Sequence, residues 1–200
     1  CRGHAPETFT YPTDLAKAKE LLAQAGVAEG TTLTLMVEAG RQNDQTAVQL
    51  FQANLEQIGV GLDIQTVDLT AFTATVFGDA PVEERPQVMP WFWWPDYNDA
   101  WNHLQPQVSC NAWGSKGTNS GFYCYQRVEE LMAQSRDATD EETYRTVLAE
   151  VQQILTRDDP AAIYYMQRQW TTVLRKGISG FTFSPIYIGT YDFHGLSRTA

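Results

Sequence analysis

The sequence predicts an α/β protein, a mixed sheet flanked by helices. Three observations predict it. Apolar residues recur at helical spacing over 13–26 and 43–59, and these stretches alternate with β-branched, apolar runs over 31–39 and 60–69. Gly26 and Gly59 stand where each of those helices should stop. Hydrophobic residues make up 43 % of the 200, enough to build a core.

Residues 1–12, with Pro6 and Pro12, read as an extended lead-in. In TDLAKAKELLAQAG, Thr13 is the expected cap, and Leu15, Ala18, Leu22 and Ala25 form the stripe. TTLTLMVEA is the first strand. NDQTAVQLFQANLEQIG is the second helix, with Ala47, Leu50, Phe51, Leu55 and Ile58 on one face. VGLDIQTVDL alternates Leu62 and Ile64, then Val67, as a half-buried strand does. LTAFTATVFG predicts a short helix, and DAPVEERP, residues 79–86, a polar loop. PQVMPWFWW reads as a strand, with Pro90 marking an edge or an irregularity. NDAWNHL starts a short helix, and Gly114 to Gly121 is a loop. YQRVEELMAQSR is a helix with Val128, Leu131 and Met132 inward. Thr139 precedes Glu142 by the capping-box spacing. The helix it opens carries Tyr144, Val147, Leu148, Val151, Ile154 and Leu155, and Asp158, Asp159 and Pro160 break it. AAIYYMQRQWTTVL is strand-like, and the tail from Gly177 is glycine-punctuated and aromatic.

Charge narrows the function. The formal net charge is −10 and the pI is near 4.6. Such a chain lacks the clustered Lys and Arg that hold nucleic acid and is poorly matched to an anionic membrane surface. It suits a cationic or zwitterionic ligand. No apolar run approaches the ~20 residues that span a bilayer, and CRGHAPETF has no signal-peptide pattern. Of the three cysteines, Cys110 and Cys124 flank NAWGSKGTNSGFY. A disulfide there implies an oxidising compartment; the alternative is two unlinked thiols. Cys1 is left without a partner in the sequence.

No metal or cofactor motif is present, and no cofactor is expected. GxSxG, HExxH, the P-loop and GxGxxG are all missing, and His4, His103 and His194 are scattered. The richest stretch is WFWWPDYNDAW, residues 91–101, with four of the six tryptophans and two carboxylates. Asp96 and Asp99 have two readings. They are an acid/base pair of a hydrolase, or binding and capping groups. On a strand, Trp91 and Trp93 would share one face and Phe92 and Trp94 the other, one pair toward the core and one lining a cleft. A carboxylate at the end of such a strand sits where α/β sheets hold ligands. Asp96 then meets a ligand ammonium, or it pairs with a protein Arg or caps the following helix.

The order of these pieces resembles the carboxyl-terminal lobe of the family 5 extracytoplasmic solute-binding proteins, the oligopeptide, dipeptide and nickel receptors of ABC importers. YPTDLAKAKELLAQAG, VQLFQANLEQIGVGLDIQTVDLTAF, WFWWPDYNDAWNHL and NSGFYCYQRVEELMAQSRDATDEETYRTVLAEVQQILTRDDPAAIYY each match a block of that pattern, in its order. Two departures fall beside the expected ligand. Ala100 stands where the pattern has Pro after the second Asp, and Tyr123, Cys124 and Tyr125 replace Tyr-Ser-Asn.

The resemblance implies a non-enzymatic, class II two-lobed receptor that closes on its solute by hinge motion and docks on a membrane permease. Residues 1–176 would be one ligand-binding lobe, and 177–200 would return toward the other. Asp96 would hold the α-ammonium of a peptide. Trp93, Trp94 and Tyr97 would form pocket walls, with Trp113 and Phe122 as further wall candidates. Oligosaccharides, through tryptophan stacking, and nickel chelates are alternative ligands. A monomer is expected, in the periplasm or outside the cell, with any membrane tether lying upstream. Cys1 is not read as a lipid-bearing cysteine, because the residues after it already match the middle of the pattern.

Overall fold

A computed structural model describes residues 1–167, 169, 171–184 and 192–198. The first helix, α1, spans Leu15–Gln24. Its cap is Asp14, one residue later than expected, accepting from the Lys17 amide at 2.9 Å. The carboxylate is the stronger acceptor for the exposed amides of the first turn. At the other end Val27 N–H reaches Leu22 O at 3.0 Å and Gly26 N–H reaches Ala23 O at 3.1 Å. This reciprocal pair needs the left-handed backbone that Gly26 adopts, φ 71°.

Strands β1 (Thr32–Glu38) and β2 (Gly61–Val67) pair in parallel, from Thr32 opposite Gly61 to Glu38 opposite Val67. A parallel pair needs a crossover, and α2 (Gln42–Gln57) provides it. Leu35, Val37, Val48 and Leu62 form the buried seam between α2 and the sheet, with Phe51, Leu55 and Ile64 packed around them.

The strand expected over 86–94 is not formed. Only Val88 bridges β1, in parallel with Leu35, through Met36 N–H to Val88 O at 3.0 Å and Val88 N–H to Thr34 O at 3.2 Å. Pro86 and Pro90 bracket it and have no N–H to extend a ladder. The Gln87 side chain substitutes, accepting from the Thr34 amide at 2.7 Å. The segment nonetheless runs parallel beside β1, so three chain segments point the same way.

Helix α3 (Leu69–Val76) is capped by Asp68, and Phe72 and Val76 face inward. The loop over 79–86 is as expected, apart from a short 3₁₀ turn at Val82–Glu84. Helices α4 (Ala100–Val108), α5 (Gln126–Asp137) and α6 (Glu141–Gln153) build a second core. Val128, Leu131, Leu148, Val151 and Leu155 are each at most 1 % exposed there. The cap of α6 is Asp140 rather than Thr139, accepting from Thr143 N–H at 2.8 Å. A wider turn, Ile154–Asp158, ends this helix just before Pro160.

The strand expected over 161–174 is not present among the described residues, and Ile163, Tyr164 and Val173 are exposed. Arg168 and Trp170 lie outside the described residues, as do 185–191 of the tail. Within the tail, β3 (Ile178–Ser179) and β4 (Ser197–Arg198) pair antiparallel. Parallel and antiparallel pairing thus occupy two separate two-stranded sheets. Among the described residues no helix is long and apolar enough to cross a membrane.

Candidate functional site

The parallel strands β1 and β2 end on one edge, and the segment that follows the Val88 bridge reaches it. Beyond the end of β1, the Arg41 guanidinium lies 3.9 Å over the Phe92 ring and is held by Glu38 and, at 3.7 Å, by Asp44. Trp91 and Phe92 stack at 5.5 Å, and Phe92 and Trp94 meet at 5.0 Å. Trp91 also packs on Phe72 and Phe77 of the α3 region, at 6.1 and 5.8 Å. The two-faced alternation expected of 91–94 is therefore not realised. Without a ladder to hold the pleat, neighbouring rings pack on one another.

Trp93 turns toward α4, and its indole N–H donates to Asn102 O at 2.9 Å. Trp93 is half-buried and serves the turn, while Trp94 and Tyr97 are 45 % and 46 % exposed. Asp96 lies between them and is exposed. Its amide donates to the Asn102 side-chain oxygen at 2.5 Å, and the Tyr97 amide approaches the same oxygen at 3.5 Å. Asn102 is only 6 % exposed. Among the described residues the Asp96 carboxylate makes no ion pair and no hydrogen bond, so neither an Arg nor the helix cap claims it. The cap of α4 is Asp99, accepting from Trp101 N–H at 2.8 Å.

Asp99 is the opposite case, 7 % exposed and fully engaged. It accepts from the Tyr144 hydroxyl and pairs with Arg2 at 3.5 Å. Burial, and then the bond it gives to Asp99, push the Tyr144 phenol well above its ordinary range, so it stays a donor. Arg2 also lies 3.9 Å over the Tyr144 ring and reaches Glu141 at 2.8 Å. No local pattern in the sequence points to Arg2, Asn102 or Tyr144. Their roles arise from contacts across 97, 6 and 45 residues.

Trp113 and Phe122 form a second group. Their rings lie 5.3 Å apart, and Arg85 sits 4.7 Å over Phe122. Arg85 is 6 % exposed and donates to Gly78 O and Ala80 O. It precedes Val88, the residue in register with mid-β1, whereas Trp94 lies beyond the end of β1. The loop that carries this pair is tied to the last turn of α4, where Thr118 and Asn119 donate to Pro106 O and Ser109 O, whereas Asp96 is tied to Asn102 in the first turn. The loop is organised by Asn119, which donates to Ser109 O and Tyr123 O and accepts from Tyr123 N–H. Cys110 and Cys124 are disulfide-bonded at its neck, their Cα atoms 4.4 Å apart. Alkylation under native conditions should spare both until reductant is added, as read by intact mass. Reduction should cost about 3 kcal/mol of stability. Two alkylated thiols at these positions before reduction would refute the bridge.

A shallow depression of about 170 Å³ opens between α2 and the sheet, lined by Val37, Gln45, Val48, Gln49, Ile64 and Thr66. It shares no residue with the Asp96 edge. No group of three or more metal-ligating side chains occurs among the described residues.

Residues 3–115 match the model of the bacterial extracellular solute-binding proteins, family 5, in its middle region. The chain belongs to this family. Family 5 members are extracellular solute-binding receptors of transport. The chain is 27 % identical over 188 residues to the glutathione-binding protein GsiB of Pectobacterium atrosepticum, covering 94 % of this chain and 36 % of that one. It is 25 % identical to the Escherichia coli K12 protein of the same name, covering 88 % and 34 %. This family 5 chain thus spans about a third of the length of the curated relatives it matches. Among solved structures, HbpA2 from Haemophilus parasuis superposes with a TM-score of 0.74 at 23 % identity, over 99 % of this chain and 38 % of that one. The periplasmic binding protein DppA from Helicobacter pylori, in complex with the peptide STSA, gives 0.67 at 27 % identity, over 79 % and 30 %. The α/β lobe is that of the class II binding proteins.

Proposed function

We propose that this chain is one lobe of an ABC-importer receptor that captures peptides or similar amine-bearing solutes between two lobes. The receptor delivers them to permease subunits in the membrane. It works as a monomer outside the cytoplasmic membrane. Residues 1–176 carry the ligand-binding surface, and 177–200 lead back toward the other lobe. Asp96 is the ammonium anchor, Trp94 and Tyr97 are the walls beside it, and Trp93 backs the turn. Trp113 and Phe122 shape the distal loop.

One observation carries the reading: an exposed carboxylate without a protein partner among the described residues, on a turn whose backbone is fixed by a buried Asn102. A fixed backbone spares the ordering cost when a ligand binds. The names of the relatives at 27 % identity are consistent with it, since glutathione and the peptide STSA each carry a free ammonium. The hydrolase alternative asks Asp99 to act with Asp96, but Asp99 is buried and engaged by Tyr144, Trp101 and Arg2. A general base needs a free lone pair within reach of its proton.

The test is a pair of matched peptides, one with a free and one with an acetylated amino terminus, titrated into the intact protein. The free-amine peptide should bind at least about tenfold more tightly, the worth of one hydrogen bond to a charged group. Equal affinity for the pair would remove the ammonium role.

A further inference from the structure

We propose that Tyr144 and Arg2, acting through Asp99, are positioning residues that set the Asp96 turn for a ligand ammonium. The inference rests on the reading of Asp96 given above. The turn from Asp96 to Asp99 is held at two points. At its start, Asn102 binds the Asp96 and Tyr97 amides at 2.5 and 3.5 Å. At its end, Asp99 is fixed by the Trp101 amide, the Tyr144 hydroxyl and Arg2. Between these points the chain closes tightly, with Asp99 N–H donating to Tyr97 O at 2.8 Å.

The second point is built by segments remote in sequence. Tyr144 comes from the first turn of α6, and Arg2 from the first residues of the chain. Arg2 lies alongside the turn as well as beneath it. Its amide approaches Asn98 O at 3.4 Å, and its carbonyl accepts from Ala100 N–H at 2.8 Å. Gly3, with φ 74°, lets the backbone pass so close that an added Cβ would lie 2.7 Å from Leu148 and 3.1 Å from Ala100. The anchor turn is thus clamped between this first segment and α6.

Surface ion pairs are worth little for stability, and Arg2 is half-exposed. Asp99 differs, being buried, so each partner lost leaves a carboxylate under-satisfied in a dry place. The low-cost relief is for Asp99 to move toward water. It would drag the turn with it, and Asp96 is three residues away. Positioning, more than stability, is what the arrangement supplies.

The variants are Tyr144→Phe, which keeps the ring under Arg2 and removes only the hydroxyl, and Arg2→Gln. Both are made in the intact protein. The readouts are the affinity ratio of free-amine to acetylated peptide, and amide exchange and chemical shift at Asp96 and Tyr97. Tyr144→Phe should lower the ratio about fivefold and loosen both amides, in line with coupling inside one hydrogen-bond network. Arg2→Gln should do the same to a lesser degree. A merely structural role would lower the melting temperature and leave the ratio unchanged. An unchanged ratio with unchanged amides in folded Tyr144→Phe would overturn the inference. If wild type itself fails to discriminate the two peptides, the ammonium reading fails. The amides then decide the positioning claim alone, with loosened signals upholding it and unaltered ones ending it.

Discussion

Asp96→Ala should weaken binding of free-amine peptides by about ten- to a hundredfold, the range for losing a hydrogen bond to a charged group. Acetylated peptides should bind the variant as they bind wild type. The asymmetry follows from the geometry. The carboxylate is exposed, so its removal opens no cavity, and Asn102 grips the backbone at residue 96, which alanine retains. The walls at Trp94 and Tyr97 are untouched, so contacts with ligand side chains persist. Calorimetric titration of both peptides against both proteins measures the effect. Full affinity for the free amine after the substitution would sink the anchor; an equal loss for both peptides would point to collapse of the turn.

Among the substitutions, the largest stability effect should come from Leu148→Ala, at about 3 kcal/mol within the range for deleting a buried leucine. Leu148 is 0 % exposed on α6, in the cluster that joins α4, α5 and α6. Its environment cannot easily collapse into the gap. Gly3 passes close enough that an added Cβ would meet Leu148, Ala100 and Tyr144 together, and close-packed neighbours relax only in part. Denaturant midpoints of the variant and wild type give the comparison. Val173→Ala is the control, since Val173 is 88 % exposed and should change stability by no more than about 0.5 kcal/mol. A Leu148→Ala midpoint indistinguishable from that control would mean the helical cluster is not what holds the lobe.

The six helices were legible because their signal is local: apolar spacing, a capping residue, a stop. Even the errors were local. At Thr13–Asp14 and Thr139–Asp140 two capping residues are adjacent, and in both cases the carboxylate took the helix amides. The strand over 86–94 misled because its aromatic composition reports a preference for extended chain, whereas pairing depends on amides that Pro86 and Pro90 lack. Asp96, Trp94 and Tyr97 are legible as candidates because one short stretch contains them. Arg2, Arg41 and Tyr144 could not, because each meets that stretch only after distant segments have packed, and Asn102, six residues from Asp96, carries no pattern that marks its side chain as the turn's acceptor. Trp113 and Phe122 are the weaker wall candidates in the sequence, since they lie in or beside the glycine-rich loop rather than in the 91–101 stretch. Only the bonds from Thr118 and Asn119 to Pro106 and Ser109 show that their loop belongs to the last turn of α4, away from the Asn102 that fixes Asp96.

The parallel register of β1 and β2 also bears on how such proteins diversify. The buried seam of the sheet is written in Leu35, Val37, Val48 and Leu62, and the reversals after β1, β2 and residue 94 are written in other codons. An exposed reversal residue such as Asp96 can be exchanged without touching the seam, whereas Asp68 and Asp99 cannot, because each caps the helix that follows it. Ala100, at the position where the resembled pattern carries Pro, belongs to the core as well as to the turn: it is buried, and its N–H, which proline would lack, donates to Arg2 O.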